Sequence, residues 1–132
     1  MSSAENKTII ETAFTAWSQG DGMAVFNLIA DRVEWTITGS SPISGTYTSK
    51  NDFIEKALKP QREHLTGPPV AQVHAVFAED DWVVVQWEGR AMTKTGIPYN
   101  NQYCYVLKVR DGQIIRGTTY WDTELVNRAW RG

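Results

Sequence analysis

Residues 82–121 read WVVVQWEGRAMTKTGIPYNNQYCYVLKVRDGQIIRGTTYW, and the fold turns on how that stretch is divided. Period-two alternation rich in Val, Ile, Tyr and Trp predicts strands over Trp82–Thr93, Asn100–Arg110 and Gln113–Trp121. The breaks carry turn chemistry: Lys94 to Pro98 around Gly96, then Asp111-Gly112. Asp-Gly between apolar strands is a strong hairpin signal, because the central residues of such a turn need positive φ. A fourth strand, about Val70–Ala78, precedes these across Glu79-Asp80-Asp81. Short turns join neighbours antiparallel, so the four strands form a meander.

Upstream of Val70 the period lengthens. Ile9, Ile10, Ala13, Phe14 and Trp17 recur at helical spacing and give a first helix one apolar face, ended by Gly20. Asp21 is placed to cap a second helix carrying Met23, Phe26, Leu28 and Ile29. A short strand follows at Val33–Ile37, then a loop from Gly39 with a brief strand at Thr46–Thr48. Ser49-Lys50-Asn51-Asp52 has the form of a capping box with Asp as its acid, and opens a third helix through Phe53, Ile54, Ala57 and Leu58. Pro60 kinks or ends that helix, since proline has no N–H to donate. Helices followed by a meander define an α+β fold, and 132 residues suit one domain over 1–132.

Composition narrows the function. The net charge of −2 comes without a basic run, which argues against a nucleic-acid face. No apolar run reaches the ~20 residues of a membrane span, and Met1–Lys7 has no signal-like apolar stretch. No membrane partner is expected, and the expectation is a soluble, cytoplasmic protein. Cys104 is the single cysteine and, between two tyrosines, reads as a buried thiol. His64 and His74 are too scattered for a metal site, and there is no phosphate loop or nucleophile elbow. Six Trp, five Tyr and four Phe are the unusual feature, because such rings fill cores and also line pockets for small molecules.

Three motifs carry a family resemblance. They are Trp17-Ser18-Gln19-Gly20-Asp21, Val33-Glu34-Trp35 followed by Ser44-Gly45-Thr46, and Tyr120-Trp121-Asp122-Thr123. With the order of helices and strands they resemble the SnoaL-like branch of the nuclear-transport-factor-two-like superfamily, the ketosteroid isomerase and polyketide cyclase fold. The resemblance implies a cone-shaped, curved antiparallel sheet (the meander plus a short strand) wrapped by three N-terminal helices. It further implies a pocket for a small apolar or aromatic molecule, no cofactor, and a homodimer formed through the sheet's outer face. Val83, Val85 and Trp87 are the apolar set expected at that contact. The pocket would be walled by Phe14, Trp17, Trp35, Ile37, Tyr103, Tyr105 and Trp121, with Gln86, Asn101 and Thr119 orienting the guest.

The family's chemistries can be tested residue by residue. Ketosteroid isomerases set an Asp base against a Tyr and a protonated Asp, but here the base's place falls at Trp35 and the helix tyrosine's at Ala13 or Phe14. The Arg-x-Asp pair of epoxide hydrolases falls on Gln86-Trp87-Glu88, and their last acid on Thr119. The acid that cyclases keep on the last strand falls at Thr118-Thr119. Glu88 is then the one candidate acid/base for a cofactor-free isomerisation, cyclisation or dehydration; its rival role is an ion pair with Arg90 or Arg116. Asp122 is expected to cap a terminal helix over Thr123–Trp130. The alternative to an enzyme is a non-catalytic ligand-binding or dimerisation module of the same fold.

Overall fold

Ser2 opens helix α1 (Ser3–Ser18) through a reciprocal capping box: its hydroxyl accepts from Glu5 N at 3.1 Å while the Glu5 carboxylate accepts from Ser2 N at 2.9 Å. The computed structural model describes residues 1–132. Ile10, Ala13, Phe14 and Trp17 point from α1 into the core, as their spacing predicts. The second helix does not form. Asp21 instead accepts from Met23 N in a local turn, Phe26–Leu28 makes one 3-10 turn, and Ile29 already belongs to strand β1 (Ile29–Ile37). So few residues lie between Gly20 and Ile29 that a helix there would repay little of its nucleation cost. Val25, Phe26 and Ile29 reach the core without one.

A brief strand β2 (Gly45–Tyr47) pairs antiparallel with β1. Helix α2 (Lys50–Phe53) is capped by the Ser49 hydroxyl, runs through a π-helical turn at Ile54–Leu58, and resumes as α3 (Lys59–Glu63). The expected break at Pro60 is therefore a change of helix type. The wide turn places Pro60 in the first turn of α3, where its missing N–H costs least. Strands β3 (Val70–Glu79), β4 (Trp82–Met92), β5 (Pro98–Arg110) and β6 (Gln113–Trp121) form the expected meander. Asp111 (φ 52°) and Gly112 (φ 76°) make the tight turn their sequence predicts. Asp122 caps α4 (Thr123–Arg131) by accepting from Glu124 N and Leu125 N.

The sheet runs β2-β1-β6-β5-β4-β3. It is not wholly antiparallel, because β1 lies parallel to β6. Helices and most of the meander intervene between those two strands, which gives the chain the length a parallel return requires. Register shifts at Val73/Ala75, Lys108/Val109 and Ile29/Glu34 bend the sheet into an open curve around α1 and the α2–α3 segment. Gly117 is needed at the tightest point of the core: a Cβ there would overlap the Trp35 ring.

Register also decides which side chains share a face. Trp87 pairs with Tyr103 and Val85 with Tyr105, so Val83, Val85 and Trp87 point into the core. Their expected place on the outer contact face is thus corrected. Gln86 pairs with Cys104 and Glu88 with Gln102, on the opposite face from Tyr103. Ile114 is buried where alternation from Gly117 predicts Ile115, because the β5–β6 shift advances the phase by one residue.

Candidate functional site

A cavity opens between the inner face of the sheet and the helical layer. Its volume is about 50 Å³. Trp87, Tyr103, Tyr105, Thr119 and Trp121 form its sheet side. Trp17 comes from α1, while Phe53, Ala57, Leu58, Gln61 and Arg62 come from the α2–α3 segment. Twelve of its 16 lining residues are apolar, and none carries a carboxylate or an imidazole.

The rings pack on one another, which fixes their positions. Trp87 stacks on Tyr103 with centroids 4.1 Å apart at 8°, and lies 4.6 Å from Trp17. Trp35 stacks on Phe53 at 4.7 Å and meets Tyr105 edge-on at 5.4 Å. Most indole N–H groups of this layer are spoken for. Trp17 Nε1 donates to Pro69 O at 2.9 Å, Trp35 Nε1 to Thr119 Oγ1 at 2.8 Å, and Trp121 Nε1 to Thr38 O at 3.2 Å. Trp130 Nε1, on α4, donates to Gln61 Oε1 at 2.7 Å. Trp87 Nε1 and Gln61 Nε2 are buried and meet no acceptor in the protein.

A chain of side-chain hydrogen bonds runs into the sheet side of the cavity. Asn101 Oδ1 accepts from Asp122 N at 3.1 Å, and its Nδ2 donates to Asp122 O at 3.1 Å and to the Tyr99 hydroxyl at 3.0 Å. The Tyr99 and Tyr103 hydroxyls lie 3.2 Å apart. Burial raises the pKa of Tyr99, Tyr103 and Tyr105, since removal from water penalises the phenolate; for Tyr103 and Tyr105 the Arg62 charge pulls the other way. All three phenols therefore stay protonated through the neutral range. They are donors, not bases.

Arg62 is the one charged group of the lining. Its guanidinium carbon lies 5.6 Å from the Trp17 ring centroid and 5.3 Å from that of Phe26. Nη2 donates to Gly22 O at 2.8 Å, and Nη1 faces Met23 Sδ at 3.7 Å. Desolvation lowers its pKa from the ordinary arginine value.

Of the residues expected at the pocket, Trp17, Ile37, Tyr103, Tyr105, Thr119 and Trp121 line the cavity. Phe14 and Trp35 stand behind them, supporting Trp17 and Phe53 by stacking. Asn101 is buried and acts through Tyr99. Gln86 and Glu88 are on the other face, where Glu88 accepts from Arg90 Nε at 3.0 Å and from Gln102 Nε2 at 2.9 Å. Sequence reasoning missed Trp87 as a wall and the helical contributors Phe53, Ala57, Gln61 and Arg62. Their signal was present in the spacing Phe53, Ala57, Gln61, Leu65, which continues one helical face through Pro60.

Known proteins place this arrangement. The SnoaL-like domain model matches residues 10–117, and the chain belongs to that family. It is 35% identical over 79 residues to the uncharacterized protein YesE of Bacillus subtilis (strain 168), a match covering 55% of this chain and half the length of that relative. Among solved structures it resembles an NTF2-like protein of Burkholderia thailandensis E264, with 23% identity, TM-score 0.79, and coverage of 96% of this chain and 98% of the other. It also resembles TerC co-crystallized with polyporic acid, with 18% identity, TM-score 0.77, and coverage of 96% and 98%. At these identities the two structures speak for the fold alone. No helix of the chain is long and apolar enough to cross a membrane.

Proposed function

We propose that the cone binds a small, largely apolar molecule carrying at least one acceptor oxygen, which Tyr103 polarises. The observation that carries this reading is the cavity's composition: aromatic and aliphatic walls with a few polar groups, the pattern of small-molecule sites. Asn101 donates to Tyr99, so the Tyr99 proton can satisfy Tyr103 and leave the Tyr103 proton for the guest.

The acid–base form of this reading is an isomerisation, cyclisation or dehydration in which Tyr103 stabilises negative charge developing on oxygen. The proton acceptor such a reaction needs would come from the substrate, because no lining residue is a carboxylate or imidazole. Titration with acetophenone, followed by tryptophan fluorescence, tests the binding reading. Saturable quenching is expected, because Trp17, Trp87 and Trp121 are walls, and Ala57→Phe should abolish it by filling the space. An unchanged emission, or quenching that survives Ala57→Phe, rejects the reading.

The homodimer is proposed through the outer face, where Phe77 pairs with Val84 and Val84 with Val106, and where Phe77 and Tyr120 are half exposed or more. Light scattering over a dilution series should give twice the chain mass, reduced to the single-chain mass by Phe77→Glu. A single-chain mass for the unaltered protein rejects it.

A further inference from the structure

The polar atoms facing the cavity are unbalanced in a way that specifies a ligand class. Apart from the Tyr103 and Tyr105 hydroxyls, which can accept as well as donate, the acceptors of the wall are already engaged: Pro69 O by Trp17, Thr119 Oγ1 by Trp35, and Gln61 Oε1 by Trp130. The donors are not. Gln61 Nε2 and Trp87 Nε1 are buried without a partner, and both side chains line the cavity. Arg62 uses at most two of its five N–H groups, one on Gly22 O and one toward Met23 Sδ.

The Arg62 charge is also unanswered. All six ion pairs of the chain lie elsewhere, and Arg62 takes part in none. The rings of Trp17 and Phe26 give it some return through their π faces. A half-buried guanidinium gains far more from an oxygen anion, to which it can donate two parallel hydrogen bonds. A neutral guest could accept from Tyr103 but would leave the cation without a counter-charge, and a cationic guest would meet repulsion.

The geometry points to a small planar apolar monoanion, a carboxylate or an oxygen anion of equal charge, seated with its charged oxygens toward Arg62 and its body against the Trp17, Phe53 and Trp87 walls. This deepens the cavity reading above and rests on it.

The test uses the intact ¹⁵N-labelled protein, reads the six indole N–H resonances, and compares benzoate, benzamide and benzylamine at one ionic strength. These share a ring and differ in head-group charge. Benzoate should bind about tenfold more tightly than benzamide, and benzylamine most weakly. Arg62→Met should bring benzoate and benzamide to within about threefold of each other, and Arg62→Lys should retain only part of the preference. Equal binding of benzoate and benzamide by the unaltered protein overturns the anion assignment while leaving the cavity reading in place, as does a preference that survives Arg62→Met. If no compound shifts an indole resonance and acetophenone fails as well, the cavity reading falls and takes this assignment with it. The unaltered protein's rank order decides the matter even if the methionine variant does not fold.

Discussion

The two faces of β4 and β5 are made from alternate residues of the same strands, yet they treat polar groups in opposite ways. On the outer face Glu88 accepts from both Arg90 and Gln102, Arg110 pairs with Asp81, and Lys108 lies over the Trp82 ring. On the inner face Trp87, Tyr103 and Tyr105 stack into a nearly closed layer, and the donors left over around it find no acceptor in the protein. Such donors are costly in a dry interior unless something supplies an acceptor. The difference teaches where to look for function: on the inner face, where buried donors remain without an acceptor in the protein.

The largest test of this contrast is a pair of tryptophan truncations. Trp87→Ala removes a fully buried ring that touches Tyr103, Trp17 and Phe14, and should cost about 3–5 kcal/mol in urea unfolding. Trp82→Ala, on the exposed row of the same strand, should cost under about 1 kcal/mol. Similar losses at the two positions would erase the distinction between the faces.

That same pairing shows how far the sequence could be read. The four meander strands lie within a residue or two of their expected bounds, because alternation and turn chemistry are local signals. Which face of one strand meets which face of the next is not local. It depends on the length of the Met92–Pro98 connection and on the bulges, so Gln86 and Glu88 were expected beside Tyr103 when the ladder puts Trp87 there. A shift of one residue moves a whole set of side chains to the other face. Six cavity residues were nonetheless legible: Trp17 from the apolar face of the first helix, and Ile37, Tyr103, Tyr105, Thr119 and Trp121 from the strands. Arg62 was not, because proline at position 60 reads as a helix stop unless the π-helical turn before it is known.

Next comes alkaline pH. Tyr99, Tyr103 and Tyr105 have folded pKa values raised by burial, whereas in the unfolded chain they titrate near about 10. Above that pH the unfolded state has released protons that the folded state still holds. The unfolded state then binds fewer, and stability falls as pH rises. Their contribution is fully present below about pH 10 and is lost progressively above it. Urea midpoints from pH 8 to 11.5 should stay level and then drop steeply. A midpoint that stays level throughout would mean that the inner phenols reach water.

A smaller effect comes from one methyl group. Gly117→Ala puts a Cβ into the Trp35 ring and should cost about 1–3 kcal/mol, while Thr118→Ala, one residue along and facing outward, should cost within about 0.5 kcal/mol. If the alanine at 117 is silent, the ring layer is looser than its stacking distances imply, and rigidity is not what sets the inner face apart.

The smallest expected effect carries the most information about chemistry. Glu88 is the carboxylate that the family's catalytic patterns single out on β4, and its geometry argues against that use. Its oxygens are held by Arg90 and Gln102, and it points away from the cavity. Glu88→Gln keeps shape and volume and removes only the charge of a carboxylate that is 15% exposed and paired with a largely exposed Arg90, so stability should change by about 1 kcal/mol or less. Benzoate and acetophenone should bind as in the unaltered protein, because no atom of residue 88 lines the space they occupy. A large loss of binding with the fold intact would show that the outer face reaches the site through the sheet. Unchanged binding, beside a marked loss for Arg62→Met, would place the site's charge on the helical wall, opposite the strand where the family pattern puts its acid.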